Sequence, residues 1–164
     1  MFAVNSEQLH VCSKLQIHVR SKQLMNSKKL AKLARKIIKT NIYLTLATGI
    51  KRPWASPVYY CFDHDFNFYF ISQLSSRHIK NILQNPRVGF AIFDSHQKEG
   101  TGNGVQGEGR VVFLKKKDQI KLGLKWYKAT DEYPVNYRLF KINTKHFYIL
   151  DPETQEDIRV RIEI

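Results

Sequence analysis

Cysteine is nearly absent: Cys12 and Cys61 are the only two in 164 residues, and neither a CxxC spacing nor a paired Cys/His cluster accompanies them. That excludes a disulfide framework and a structural zinc site, and it suits a reducing, cytoplasmic compartment. No apolar run approaches the roughly 18 residues of a membrane-spanning helix, and the amino terminus lacks the apolar core of a signal peptide. The expectation is a soluble chain with no membrane partner. Acidic residues are scarce too, 14 against 27 Lys and Arg, which leaves a formal charge of +13. Such an excess favours anions: phosphorylated cofactors, nucleic acid or acidic membrane surfaces. Charge alone does not choose among them, but no nucleic-acid recognition motif is present and nucleic acid ranks last. Also missing are a serine nucleophile elbow and a paired-carboxylate arrangement, so any chemistry belongs mainly to a bound cofactor. The six histidines form no metal set, and His64, between Asp63 and Asp65, reads as part of a polar turn.

What is present suffices for one domain with a real core, since 43% of the residues are hydrophobic and 12% aromatic. Residues 1–25 show no sustained period beyond the alternation of Leu15, Ile17 and Val19, and are set apart as an N-terminal extension of unassigned role; residues 26–164 form the domain. Asn26 or Ser27 caps a helix through Ile38, whose apolar stripe is Leu30, Leu33, Ala34, Ile37 and Ile38. Its other face carries Lys28, Lys29, Lys32, Arg35, Lys36 and Lys39 without one acid, a solvated face or a docking surface for an acidic partner.

Strand signals follow at Ile42–Thr48, Trp54–Phe62 and Phe68–Ser72, an antiparallel meander. Phe68 and Phe70 lie on one face of the third strand, Tyr69 and Ile71 on the other, so helices or a second subunit must cover both faces. Ser75 or Ser76 caps a helix over Arg77–Gln84, which Asn85-Pro86 ends before the strand Val88–Asp94. Beyond a polar loop, Val105–Leu114 is a strand and Lys117–Tyr127 a helix; Pro134 marks a break. Arg138–Ile142, His146–Leu150 and Ile158–Ile164 read as closing strands, turned at Asn143-Thr144 and Asp151-Pro152. The sum is about seven strands with three peripheral helices, and closure into a barrel would remove the exposed sheet edges.

Three segments are candidates for chemistry. Ser72, Ser75, Ser76, Arg77, His78 and Lys80 lie at a strand end and helix start, where free N–H groups and the helix dipole attract a phosphate, although the serines equally serve as plain caps. Trp54-Ala55-Ser56-Pro57-Val58 is a strand interrupted by proline, an edge or bulged segment whose free amides suit a flat heteroaromatic ring, or an ordinary edge with Trp54 in the core. Gly104-Val105-Gln106-Gly107-Glu108-Gly109 allows close approach by a ligand or another backbone, with Gln106 able to donate and accept; its spacing is not that of a dinucleotide fingerprint.

Taken in order, TLAT, RPWASPVYY, FYFIS, SSRHIKNILQNPRVGFAIFD and GVQGEG resemble the pyridoxamine 5′-phosphate oxidase-like, FMN-binding split-barrel family, with a weaker fit through YRLFKINTKHFYILD. The resemblance implies a mainly β fold with peripheral helices, a six-stranded antiparallel split barrel, usually a homodimer with two flavin sites at the subunit interface. It implies that Trp54, Ala55, Ser56, Pro57 and Val58 lie along the isoalloxazine ring, that Ser72, Ser76, Arg77 and His78 surround the ribityl phosphate, and that Gln106 approaches the ring from a neighbouring strand. Cys61 stands near the position of a flavin-assisting lysine in the true oxidases, His78 replaces a basic residue, and the chain ends DIRVRIEI without their Arg/His substrate signature. The expectation is an FMN-dependent oxidoreductase using a reduced nicotinamide, NAD(P)H, and an unidentified small substrate other than pyridoxamine phosphate. The alternative is a non-enzymatic module that binds or senses flavin, haem or a deazaflavin.

Overall fold

The computed structural model describes residues 26–49, 51–98, 101–127, 136–151 and 159–164. The N-terminal extension with its Leu15–Val19 alternation, Pro134, Pro152 and Ile158 lie outside the described residues. Helix α1 covers residues 26–40, followed by strands β1 (Tyr43–Gly49), β2 (Pro53–Tyr59), β3 (Cys61–Phe62) and β4 (Phe68–Gln73). Helix α2 (Arg77–Gln84) leads to β5 (Arg87–Phe93) and β6 (Gly104–Phe113), and helix α3 (Lys117–Tyr127) to β7 (Tyr137–Leu150) and β8 (Arg159–Ile162).

The strands form one antiparallel sheet in the order β2-β1-β5-β6-β7-β4-β3, with β8 added to β7. The two ends of that path, β2 and β3, are consecutive in the chain and separated only by Tyr60. One bent segment therefore pairs with β1 through its first half and with β4 through its second, which closes the sheet into a six-stranded barrel. The bend has a cause. The Tyr60 ring turns into the core, 4% exposed, and its hydroxyl donates to the Ile38 carbonyl of α1 at 2.7 Å.

Alternation along each strand fills the barrel: Leu44 and Leu46, Phe68 and Phe70, Phe90 and Ile92, Phe140 and Ile142 all point inward and are buried. Leu30, Ala34, Ile37 and Ile38 of α1 pack onto this core, as their stripe predicts. Each fully buried residue of this size contributes about 1.5–3 kcal/mol through removal from water. The glycines of β6 serve the fold. A Cβ at Gly107 would collide with the Phe90 ring, and one at Gly109 would stand 2.6 Å from the Asn143 carbonyl oxygen. Close approach there is by an aromatic ring and a backbone.

Of the two covers expected for the second face of β4, a helix is the one found: Tyr69 packs with Leu114, Leu139 and Leu124 of α3. Two expectations need correction. The segment Trp54–Phe62 is two strands, for the reason given at Tyr60. The Asn143-Thr144 turn does not exist, because β7 runs through it while pairing with both β4 and β6, and the irregularity is absorbed as a bulge opposite Glu108 and Gly109.

Candidate functional site

Ser72 ends the inward row of β4, and the turn after Gln73 delivers Ser76 at the start of α2. Ser76 has the extended backbone of a helix cap (φ −65°, ψ 147°) but its hydroxyl makes no capping bond, and the first turn of α2 holds no acid. The plain capping role is therefore not what Ser76 does. Its hydroxyl donates instead to the Gln73 carbonyl at 2.9 Å. With that hydrogen committed, Ser76 Oγ can only accept from His78 Nε2 at 3.2 Å and Ser72 Oγ at 3.3 Å. The Nε2–H tautomer of His78 meets this condition, donating toward Ser72 Oγ at 2.8 Å. Ser72 is buried and His78 half-buried. Burial holds the imidazole below its ordinary 6.5, so the neutral ring is favoured.

Arg77 opens α2 on its solvent side, with its guanidinium carbon 4.1 Å from the centre of the Trp54 ring. Trp54 is 39% exposed and outside the core, at the mouth of the barrel. A relay fastens helix to hairpin: Asn81 Nδ2 donates to Thr48 Oγ1 at 3.1 Å, and the Thr48 hydroxyl donates to the Trp54 carbonyl at 3.5 Å. Sequence reasoning missed both Thr48 and Asn81. The signal was available, since Asn81 falls one helical turn after Arg77 and Thr48 is the last inward position of β1.

Along β2, Ala55 and Pro57 face outward, whereas Ser56 and Val58 are buried. In the described sheet β2 pairs with β1 alone, so the far-side amides of its non-proline residues lack a ladder partner, as the proline suggests. Trp54, Ser72, Ser76, Arg77 and His78 thus meet at one end of the barrel, while β2 runs away from it along the wall, with Val58 opposite Leu44. Gln106 does not join them. It is exposed on β6, three strand positions from β2 or about 14 Å at the usual strand spacing.

Cys61 is half-buried beside Tyr69, with its thiol directed at the Tyr69 carbonyl at 3.9 Å. Burial, aided by the Asp63 charge, pushes the thiol up to about 12, so Cys61 brings no charge to the position near which it aligns. Among the described residues no group of His, Cys, Asp and Glu is placed to hold a metal ion, and no helix is long and apolar enough to cross a membrane.

The cluster fits a phosphomonoester on physical grounds. It combines an uncapped helix start, a guanidinium fixed at that start, two hydroxyls and an imidazole N–H, with no carboxylate in the hydrogen-bonded set.

No curated protein matches the sequence. Among solved structures the chain is similar to a heme-binding protein from Mycobacterium smegmatis, at 18% identity and a TM-score of 0.65; the match covers 82% of this chain and 57% of that one. A FAD-binding protein from Mesorhizobium loti matches at 20% identity and a TM-score of 0.55, over 70% of this chain and 88% of the other. The heme storage protein HutZ from Vibrio cholerae matches at 14% identity and a TM-score of 0.56, over 70% and 90%. These likenesses carry the fold, and the proteins that share it bind flavin in one case and heme in others. A family model described as pyridoxamine 5′-phosphate oxidase matches residues 30–151, well over half the sequence. With that match laid over a closed six-stranded barrel, the chain belongs to the pyridoxamine 5′-phosphate oxidase-like family.

Proposed function

We propose that the chain is an FMN-binding flavoprotein that passes hydride or electrons between a reduced nicotinamide and a small substrate. The observation that carries this reading is the Ser72–Ser76–His78 cluster at the uncapped start of α2, with Arg77 stacked on Trp54 of an edge strand. When bound, flavin supplies the hydride and electron chemistry. The protein binds and orients it. Arg77 neutralises phosphate charge; the serines and His78 donate to phosphate oxygens, with the Ser76 hydrogen released from the Gln73 carbonyl; the far-side amides of β2 meet the polar edge of the ring.

The site is open on the single chain, and the outer face of the same strands carries exposed apolar residues. Tyr43, Tyr59 and Phe93, at 57%, 43% and 53% exposure, stand on the outer face of the sheet beside the small residues Ala47, Ala55 and Gly89. A second copy packed on this face would form a homodimer, exclude water from the ring and bring a partner surface over it. Gln106, remote within one chain, would then serve the neighbouring copy. The FAD-binding protein from Mesorhizobium loti lends support to flavin. The heme-binding proteins keep a non-enzymatic haem module as the second reading.

Anaerobic mixing of the FMN-loaded protein with NADH or NADPH tests the reaction. Bleaching of the flavin band is expected, together with slow or no oxidation of pyridoxamine 5′-phosphate. A flavin band that no nicotinamide donor bleaches would place the protein among binding modules.

A further inference from the structure

A second cation cluster lies on the opposite face of the sheet wall from the Ser72–His78 site. Along β5, Val88, Phe90 and Ile92 point into the barrel, so Arg87 points out. Along β6, Val111 points in and Arg110 points out. The two arginines are direct register partners. The Val111 N–H donates to the Pro86 carbonyl at 2.8 Å, which makes that neighbouring pair the hydrogen-bonded one. Arg87 and Arg110 therefore occupy the non-hydrogen-bonded position, with Cα atoms about 4.5 Å apart and side chains at their closest. Like charges placed directly opposite destabilise a sheet, and neither guanidinium has a protein partner among the described residues.

The next strand adds to the cluster. Glu108 pairs with His146 and Gly109 with Thr144, so Lys145 is the unpaired residue of the β7 bulge. Bulges re-aim side chains and are enriched beside functional sites. Arg87, Arg110 and Lys145 line a cleft of about 580 Å³ together with Asn143, Thr144 and Glu108. Glu108, the one carboxylate there, lies 3.7 Å from His146 Nε2. Three cations against one carboxylate leave a site short of about two negative charges.

We infer that this cleft is an anion-binding site for the phosphate or diphosphate group of a small phosphorylated molecule. A dianion between Arg87 and Arg110 converts their repulsion into two guanidinium forks on one group, with Lys145 as a third contact. The Arg87–Arg110 cleft shares no residue with the Ser72–His78 cluster, so the two can be tested separately.

The test is pyrophosphate binding by the full-length protein, followed by calorimetry and by melting temperature at constant ionic strength. The wild type is expected to bind one pyrophosphate per chain at this cleft and to melt higher with it. Arg110→Gln should weaken binding at least about tenfold, and the Arg87→Gln/Arg110→Gln pair should abolish the melting shift. Without ligand, Arg110→Gln should melt at or above the wild type, since it removes a like-charge pair; a merely structural arginine would give the reverse. FMN binding should be unchanged in these variants, whereas Arg77→Ala should spare this site. A melting shift that survives in the double variant, disappears in Arg77→Ala, or is matched by chloride at equal ionic strength would overturn the assignment.

Discussion

Arg77 has a fixed place at the head of a helix. It heads α2, lies on the Trp54 ring at 4.1 Å and adjoins hydroxyls that are not used as caps. Lys32, by contrast, is exposed on α1, a different element. Arg77→Ala should therefore weaken FMN binding by about 1.5–3 kcal/mol, the worth of a charge-assisted hydrogen bond, and Lys32→Ala should have little effect. Titration of each variant with FMN checks this, and equal losses would mean that the flavin is held by diffuse charge. His78 acts at the same scale. Kept neutral by burial, it suits a donor that takes on charge only once an anion has arrived.

At the scale of elements, the turn between β3 and β4 is organised by one side chain. The Asp63 carboxylate accepts from the backbone N–H of Asp65 and Asn67, the Asn67 amide and the Tyr69 hydroxyl, and pairs with Lys141 Nζ at 3.2 Å. Burial works to raise its pKa, but the Asn67, Lys141 and Tyr69 bonds together outweigh it and hold the carboxyl below its ordinary 3.8. A depressed carboxylate stabilises the fold fully above 3.8 and loses that contribution as pH falls through the folded value. Asp63→Asn should thus cost about 1–3 kcal/mol in urea unfolding near neutral pH, by stranding buried donors. The gap should narrow as pH drops below 3.8; a constant gap would mean that the charge is not what matters.

Much of this level was legible in the sequence, for identifiable reasons. The α1 stripe and the span of α2 were readable because Asn85-Pro86 stops one helix and the 3.6-residue period marks the other. The hydrogen-bonded cluster of Ser72, Ser76 and His78 was readable because it is nearly contiguous. The break at Tyr60 was not, since it depends on a hydroxyl reaching Ile38, 22 residues away. The continuity of β7 through Asn143-Thr144 was hidden for the same reason: turn-forming residues were overridden by pairing with β6 on one side and by the Thr144 bonds to Phe66 and Asn67 on the other. Trp54 is not in the core, as an ordinary edge strand would have it, but is 39% exposed with Arg77 of a different element on its ring. Gln106 looked like part of one site because sequence order does not reveal that three strand spacings separate it from β2.

For the molecule as a whole, the open question of what covers the sheet has moved. The outer side of β4 is satisfied by α3, and among the described residues the outer face of β2, β1 and β5 carries the exposed rings of Tyr59, Tyr43 and Phe93. A homodimer formed there should appear in light scattering at micromolar concentration. Phe93→Asp, which touches no residue of the Ser72–His78 cluster, should shift it to monomer. A monomeric wild type would contradict the proposed interface.

The most direct measurement is the visible spectrum of the freshly purified full-length protein, followed through titration with FMN. The expected result is an oxidised-flavin spectrum saturating at one FMN per chain, lost on substitution of Arg77. A haem band in its place, or no uptake of FMN by an otherwise folded protein, would contradict the assignment of the Ser72–His78 cluster as a flavin phosphate site.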